Sequence, residues 1–250
     1  MATSSLVILI ILFFVTSAVG VVTGSNSLIT VPVMFQFGIE PKVAVATNMF
    51  GLTFMAIGAT IPFLRQGAID KRKVSPLIIL TVVGSAIGAA LVGFISDKTM
   101  PIIVSVSMII VTVFTLIKPQ AGVTKIETVS PNFLVITYAL TFLLGIYGGL
   151  YSGGYVTMLT ALLVGFFGMT FGESVASTKL INVFSSSIAT LIFMWQGLVD
   201  YRLGLILAAT MFVAAYVGAK IVTRLNDLWL KRIFLFTVLI LAVKTIFDFI

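Results

Sequence analysis

"QGAIDKR" occupies residues 66–72, and "QGLVDYR" occupies residues 196–202. Gln, Gly, Asp and Arg coincide 130 residues apart, and the other positions differ as Ala/Leu, Ile/Val and Lys/Tyr. "GSAIGAA" (84–90) aligns with "AAYVGAK" (214–220) at the same offset, and so does Asp97 with Asp227. "VATN" (45–48) aligns with "ASTK" (176–179) after a one-residue shift, which makes Asn48 the counterpart of Lys179. The chain therefore reads as two structural repeats, 1–120 and 132–250, in one integral membrane domain. The connection between them, 121–131, lies within the polar stretch "KPQAGVTKIETVSPN" (118–132).

Composition fixes the solvent of these repeats. Of 250 residues, 60% are hydrophobic and 9% charged, with a mean hydropathy of +1.22. A soluble domain carries about 25% charged residues, so this is a polytopic, all-α membrane protein. It is expected as a multi-pass protein of the cell (inner) membrane. The absence of cysteine rules out disulfides and thiol chemistry, and the absence of histidine removes the commonest general base and metal ligand. No metal site and no cofactor are expected. The net charge of +7 belongs to cytoplasmic loops rather than to nucleic acid. The apolar N-terminus lacks a positively charged leader and reads as a retained membrane segment.

Apolar runs fall at about 6–22, 28–37, 43–64, 74–95, 100–117, 132–147, 155–167, 174–195, 203–223 and 229–247. Spanning a bilayer takes roughly 20 helical residues, and six runs approach that. The other four form two pairs, interrupted by "TGSNS" (23–27) and "GGLYSGG" (148–154). If each pair enters the membrane and returns, each repeat makes three net crossings and the second repeat is inverted. Loops 65–73, 118–130, 168–173 and 220–232 then share the cytoplasm. That side holds Arg65, Lys71, Arg72, Lys73, Lys118, Lys125, Lys220, Arg224, Lys231 and Arg232, against Lys42, Lys98, Arg202 and Lys244 outside. Parallel repeats would divide these charges eight to six. The positive-inside rule favours ten against four. The expected architecture is two inverted repeats, each a re-entrant broken pair plus three transmembrane helices.

Breaking a helix inside lipid frees backbone groups that only protein or a wet cavity can satisfy. The helix that starts after each break aims N–H groups and a positive dipole end at the gap, which suits an anion. Around the breaks, Thr23, Ser25, Asn26, Ser27, Tyr151 and Ser152 offer side-chain hydrogen bonds, and Gly153 and Gly154 allow close backbone approach. Lys179 is the one Lys or Arg inside a confident span, with Ser177, Thr178 and Asn182 nearby and Thr47 and Asn48 in the other half. Intramembrane charge usually faces an interior path. All eight carboxylates sit in loops or near segment ends, so no buried carboxylate relay is expected. Asp70 and Asp200 read as helix N-caps.

The order of these motifs resembles the sulfite exporter TauE/SafE family of membrane permeases. The resemblance rests on a small-residue break leading into "LITVP" (28–32), then "AVATN" (44–48), "QGAIDKR" and "GSAIGAALVG" (84–93), with the scheme repeated. In that family the first break usually carries a run of glycines, where this chain has "GSNS" (24–27). The resemblance implies transport, often outward, of sulfur-containing oxyanions such as sulfite or organosulfonates. The expected function is secondary transport by alternating access around a mid-membrane anion site. Alternatives on the same fold are an anion channel and a permease for small carboxylates. A Ser–Lys hydrolase using Lys179 and a non-transporting scaffold are weaker rivals, so no enzymatic activity is expected. Expected partners are a small anion and the bilayer, with a homodimer as an admissible assembly.

Overall fold

The computed structural model describes residues 3–24, 26–106, 131–230, 232, 233 and 236. Ser25, loop 118–130, and most of the apolar runs 100–117 and 229–247 lie outside these residues. The helices whose bounds fall among the described residues are, in order, α1 (Thr3–Thr23), α2 (Ser27–Gln36), α3 (Pro41–Arg65), α4 (Lys71–Val92), α5 (Pro131–Leu150), α6 (Tyr155–Phe166), α7 (Phe171–Trp195) and α8 (Tyr201–Val222). No strand occurs among the described residues. All but α2 and α6 contain a stretch long and apolar enough to cross a membrane.

A 130-residue spacing recurs in the backbone. The described residues with positive φ are glycines, and they fall into three pairs 130 apart: Gly24 and Gly154, Gly38 and Gly168, Gly67 and Gly197. Gly67 and Gly197 belong to the two QG phrases. Each ends a helix in the left-handed conformation, with N–H groups returned to the last turn: Ala68 to Phe63 and Leu198 to Phe193. Asp70 then caps α4 by accepting from the Arg72 and Lys73 N–H groups, and Asp200 caps α8 by accepting from Leu203 N–H. The expected N-cap roles are therefore present.

The glutamines of the phrases do something the sequence did not reveal. Gln66 Nε2 donates to Thr223 O at 3.3 Å, just beyond α8. Gln196 Nε2 donates to Ala89 O and Ala90 O at 3.3 Å, in the last turn of α4. Each half thus grips the end of the other half's small-residue helix. The aspartates beyond those helices also match. Asp97 pairs with Lys42 at 3.4 Å, and Asp227 accepts from Gly172 N–H at 2.6 Å; 42 and 172 are again 130 apart.

Principal packings exchange when the halves are exchanged. α3 lies on α8 as α7 lies on α4, α1 lies on α8 as α5 lies on α4, and α3 crosses α7. Glycines permit the approaches. A Cβ on Gly218 would stand 2.5 Å from Ala18 O, and one on its counterpart Gly88 would run into Ile146 O.

Two ends of the bundle can be identified from contacts. Phe63, Gln66, Gly172, Thr223 and Asp227 line one cleft, and Ala68, Lys73, Gly168 and Glu173 line another beside it. At the opposite end of α3, Phe37–Ile39 share a cleft of about 450 Å³ with Leu6, Asp200 and Arg202. The two QG phrases therefore sit at opposite ends. Leu6 near the start of α1 meets the residues just after α2, so this helix pair goes in and comes back. Phe133 of α5 likewise meets Phe166 of α6, with ring centroids 5.7 Å apart.

One expectation needs correcting. α1 and α5 have 21 and 20 residues, longer than the apolar runs 6–22 and 132–147. Gly148 and Gly149 do not break α5. They make room for the Tyr155 ring and for the Ser85 backbone, so the interruption shrinks to residues 151–154.

Candidate functional site

The tips of the two helix pairs meet. Ser27 Oγ and Ser152 Oγ lie 2.8 Å apart, Tyr151 OH donates to Ser27 O at 3.0 Å, and Thr157 Oγ1 donates to Thr23 O at 2.6 Å. Tyr147 OH donates to Gly153 O. Gly24 and Gly154 turn the chain in the left-handed conformation at the two breaks. At Gly24 a Cβ would also stand 2.7 Å from Val156 Cβ, so only glycine lets the tips close. Residues 151–160 are all buried. The polar backbone of the breaks is thus satisfied by protein, as lipid requires.

A second layer ties the tips to α3. Asn48 Nδ2 donates to Ser27 Oγ at 2.9 Å, and Thr30 Oγ1 donates to Asn48 Oδ1 at 2.8 Å. Asn26 Nδ2 reaches Ser17 Oγ at 3.0 Å, and Asn26 Oδ1 is buried without a partner among the described residues. Neither Asn26 nor Gly154, the residues preceding α2 and α6, gives a side-chain cap to its helix. Part of each first turn is satisfied by backbone instead: the Ile29 and Thr30 N–H groups donate to Asn26 O, and the Tyr155 N–H donates to Ser152 O.

Lys179 is 3% exposed, and its Nζ donates to Gly20 O at 3.0 Å. Gly20 lies in the last turn of α1, one turn before the break, and its carbonyl also accepts from Gly24 N–H. The ammonium therefore faces inward, not out to the headgroups, and sits at the negative end of α1. It is the one charged side chain among the buried described residues.

Not every expected residue joins this cluster. Thr47 turns its hydroxyl to Asp200 N–H at 3.0 Å, serving the start of α8. Ser177 lines the cleft beside Asp70, Lys73 and Glu173, with its Oγ buried and unpartnered. Thr178 Oγ1 is 3.4 Å from Thr160 Oγ1 of α6 and also donates to Val175 O. Asn182 accepts from Ser185 on its own helix at 3.4 Å. Ser25 is outside the described residues.

These contacts also correct the register of the repeats. Thr30 bonds Asn48 as Thr160 meets Thr178, and Thr47 faces the Asp200 turn as Ser177 faces the Asp70 turn. The offset is 130 throughout. The counterpart of Asn48 is Thr178, and that of Lys179 is Met49, so the one-residue shift falls away. Thr30, Thr157 and Thr160 were missed as site residues. Strict use of the 130-residue spacing, which pairs Thr30 with Thr160 one turn into the short helices, would have found two of them.

Comparison with known proteins agrees with this architecture. A family model described as "Sulfite exporter TauE/SafE" matches residues 9–245. The chain is 25% identical to "Probable membrane transporter protein ORF9" of Sinorhizobium sp, over 97% of this chain and 93% of that protein. It is 23% identical to a "Probable membrane transporter protein" of Haemophilus influenzae, over 97% and 95%. It is 21% identical to "Probable membrane transporter protein YunE" of Bacillus subtilis, over 98% of each. No solved structure matches it. A multi-pass membrane protein whose family match covers nearly its whole length, this chain belongs to the sulfite exporter TauE/SafE family of membrane transport proteins.

Proposed function

We propose that the protein is a secondary carrier, exporting small sulfur-containing oxyanions such as sulfite or organosulfonates. Its two repeats are inverted, and its substrate is held where the broken helices meet. The family description and the transporter names of the relatives support carriage across the membrane. The observation that carries the anion reading is the buried Lys179 ammonium at the end of α1, beside a break. Ser27, Ser152, Tyr151 and Asn48 can exchange the hydrogen bonds that link them for bonds to oxyanion oxygens. A charge-assisted bond to an anion is stronger than the neutral one it replaces.

The direct Ser27–Ser152 contact favours a carrier over a channel, because the tips seal against each other. Rocking of one repeat against the other would open the seal to one end at a time. Sulfite, small sulfonates and small carboxylates should be tested by thermal stabilisation of the purified protein, since a ligand of the folded state raises its melting temperature. For the anion that stabilises, Lys179→Ala should abolish calorimetric binding and Lys179→Arg should retain part of it. Undiminished binding by Lys179→Ala removes the lysine from the site.

A further inference from the structure

We infer that the site between the broken helices is matched to a singly charged anion and discriminates against dianions of the same shape. This rests on the anion-site reading above and adds a charge to it. Lys179 is the one buried charge among the described residues. The carboxylates of the described residues lie at helix ends or in loops. The nearest along α7 is Glu173, six residues earlier, or about 9 Å along the axis. It accepts from Thr170 N–H in a capping box. On the packed faces of α1, α3, α4 and α6, the spans bring no Asp or Glu toward the lysine.

The helix dipoles do not add a second charge. Each break sets a helix C-terminus beside a helix N-terminus: α1 before α2, and α5 before α6. Their half-charges of opposite sign largely cancel. One lysine and one monoanion make a neutral pair. A dianion leaves an uncompensated negative charge in a low-dielectric interior, which is costly.

Asn26 Oδ1 points the same way from a different direction. It is a buried acceptor, in a residue 3% exposed, with no donor among the described residues. Asn26 adjoins Gly20, the residue whose carbonyl holds Lys179, with its Cβ 3.3 Å from where a Gly20 side chain would begin. A hydroxyl-bearing monoanion can donate to this oxygen, and a fully deprotonated dianion cannot. Sulfite would then be taken as hydrogensulfite, and sulfonates as they stand.

Methanesulfonate and methylphosphonate test this directly. They are near-isosteric, but only the phosphonate gains a second charge as pH rises. Their calorimetric affinities for the purified protein should be compared as a ratio at each pH, which cancels any titration of the protein itself. Methylphosphonate should match or exceed methanesulfonate while singly charged and fall at least tenfold behind once doubly charged. Lys179→Arg, which keeps the charge, should keep the discrimination. A ratio that stays flat, or moves toward the dianion, overturns the charge assignment while leaving an anion site. Failure of both probes to bind the wild-type protein overturns the anion site and this inference with it.

Discussion

Ser27 is the residue on which the site turns. Its hydroxyl accepts from Asn48 and meets Ser152, and its carbonyl accepts from Tyr151. Ser27→Ala would strand the Asn48 amide in a fully buried position. A buried donor left without a partner costs about 1–3 kcal/mol. Ser152→Ala leaves the Asn48–Ser27 bond intact and should cost less. Thermal unfolding in detergent should therefore rank Ser27→Ala below Ser152→Ala, and a reversed order would displace Ser27 from the centre of the network. At this scale the sequence was partly legible. A lysine within an apolar span stands out because burying it is expensive, and the polar breaks stand out for the same reason. The direction of a hydroxyl does not stand out. Thr47 and Asn48 are neighbours in the chain, yet helical geometry sends one to the Asp200 turn and the other to Ser27. The wrong register arose from matching Asn48 to Lys179 by polarity, where spacing was the better guide.

Helix pairs show which parts of the motifs are structural. In α4, Gly88 sits where any side chain would strike the α5 backbone at Ile146. Gly88→Val should push α4 and α5 apart at a cost of about 1–3 kcal/mol or more, the range for overpacking. A melting temperature unchanged from wild type would show that the two helices yield freely there. The paired glutamines make a second, graded case. Gln196 is half-buried and donates to two carbonyls, whereas Gln66 is exposed and donates to one. Water competes for the exposed bond, so Gln196→Ala should lower thermal stability more than Gln66→Ala. Equal losses would mean that exposure does not decide the strength of these grips. The Gly and Asp of the QG phrase were readable as a helix end and a cap because those roles are local. The Gln was not, because its partner carbonyls lie more than a hundred residues away in the chain and only packing brings them near.

For the molecule as a whole, the contacts at the two ends favour inverted over parallel repeats. Loops 66–73, 168–173 and 222–227 gather at one end, and 37–39 with 200–203 at the other. Among the described residues, Arg65, Lys71, Arg72, Lys73, Lys220, Arg224 and Arg232 belong to the first end. Lys42, Lys98 and Arg202 belong to the second. Both tryptophans are exposed near helix ends, Trp195 one residue from the Gln196 grip and Trp229 two residues past Asp227. They mark the two interfaces where such rings settle. The duplication and the charge count were legible because both are properties of spacing and composition. How far α1 and α5 extend was not, because Gly148 and Gly149 look like a break until the neighbours that need their small size are in place. The basic end should face the cytoplasm, and the native chain contains no cysteine, so single cysteines report without background. Lys71 and Tyr201 are exposed and 130 residues apart, one in each copy of the repeated turn. In intact cells a membrane-impermeant maleimide should label Tyr201→Cys and spare Lys71→Cys until the membrane is opened. Opposite labelling is what antiparallel halves require, since equivalent residues of inverted repeats must emerge on opposite faces. Labelling of both from one side would mean that the halves run parallel, and the broken helices would then have to enter from a common face.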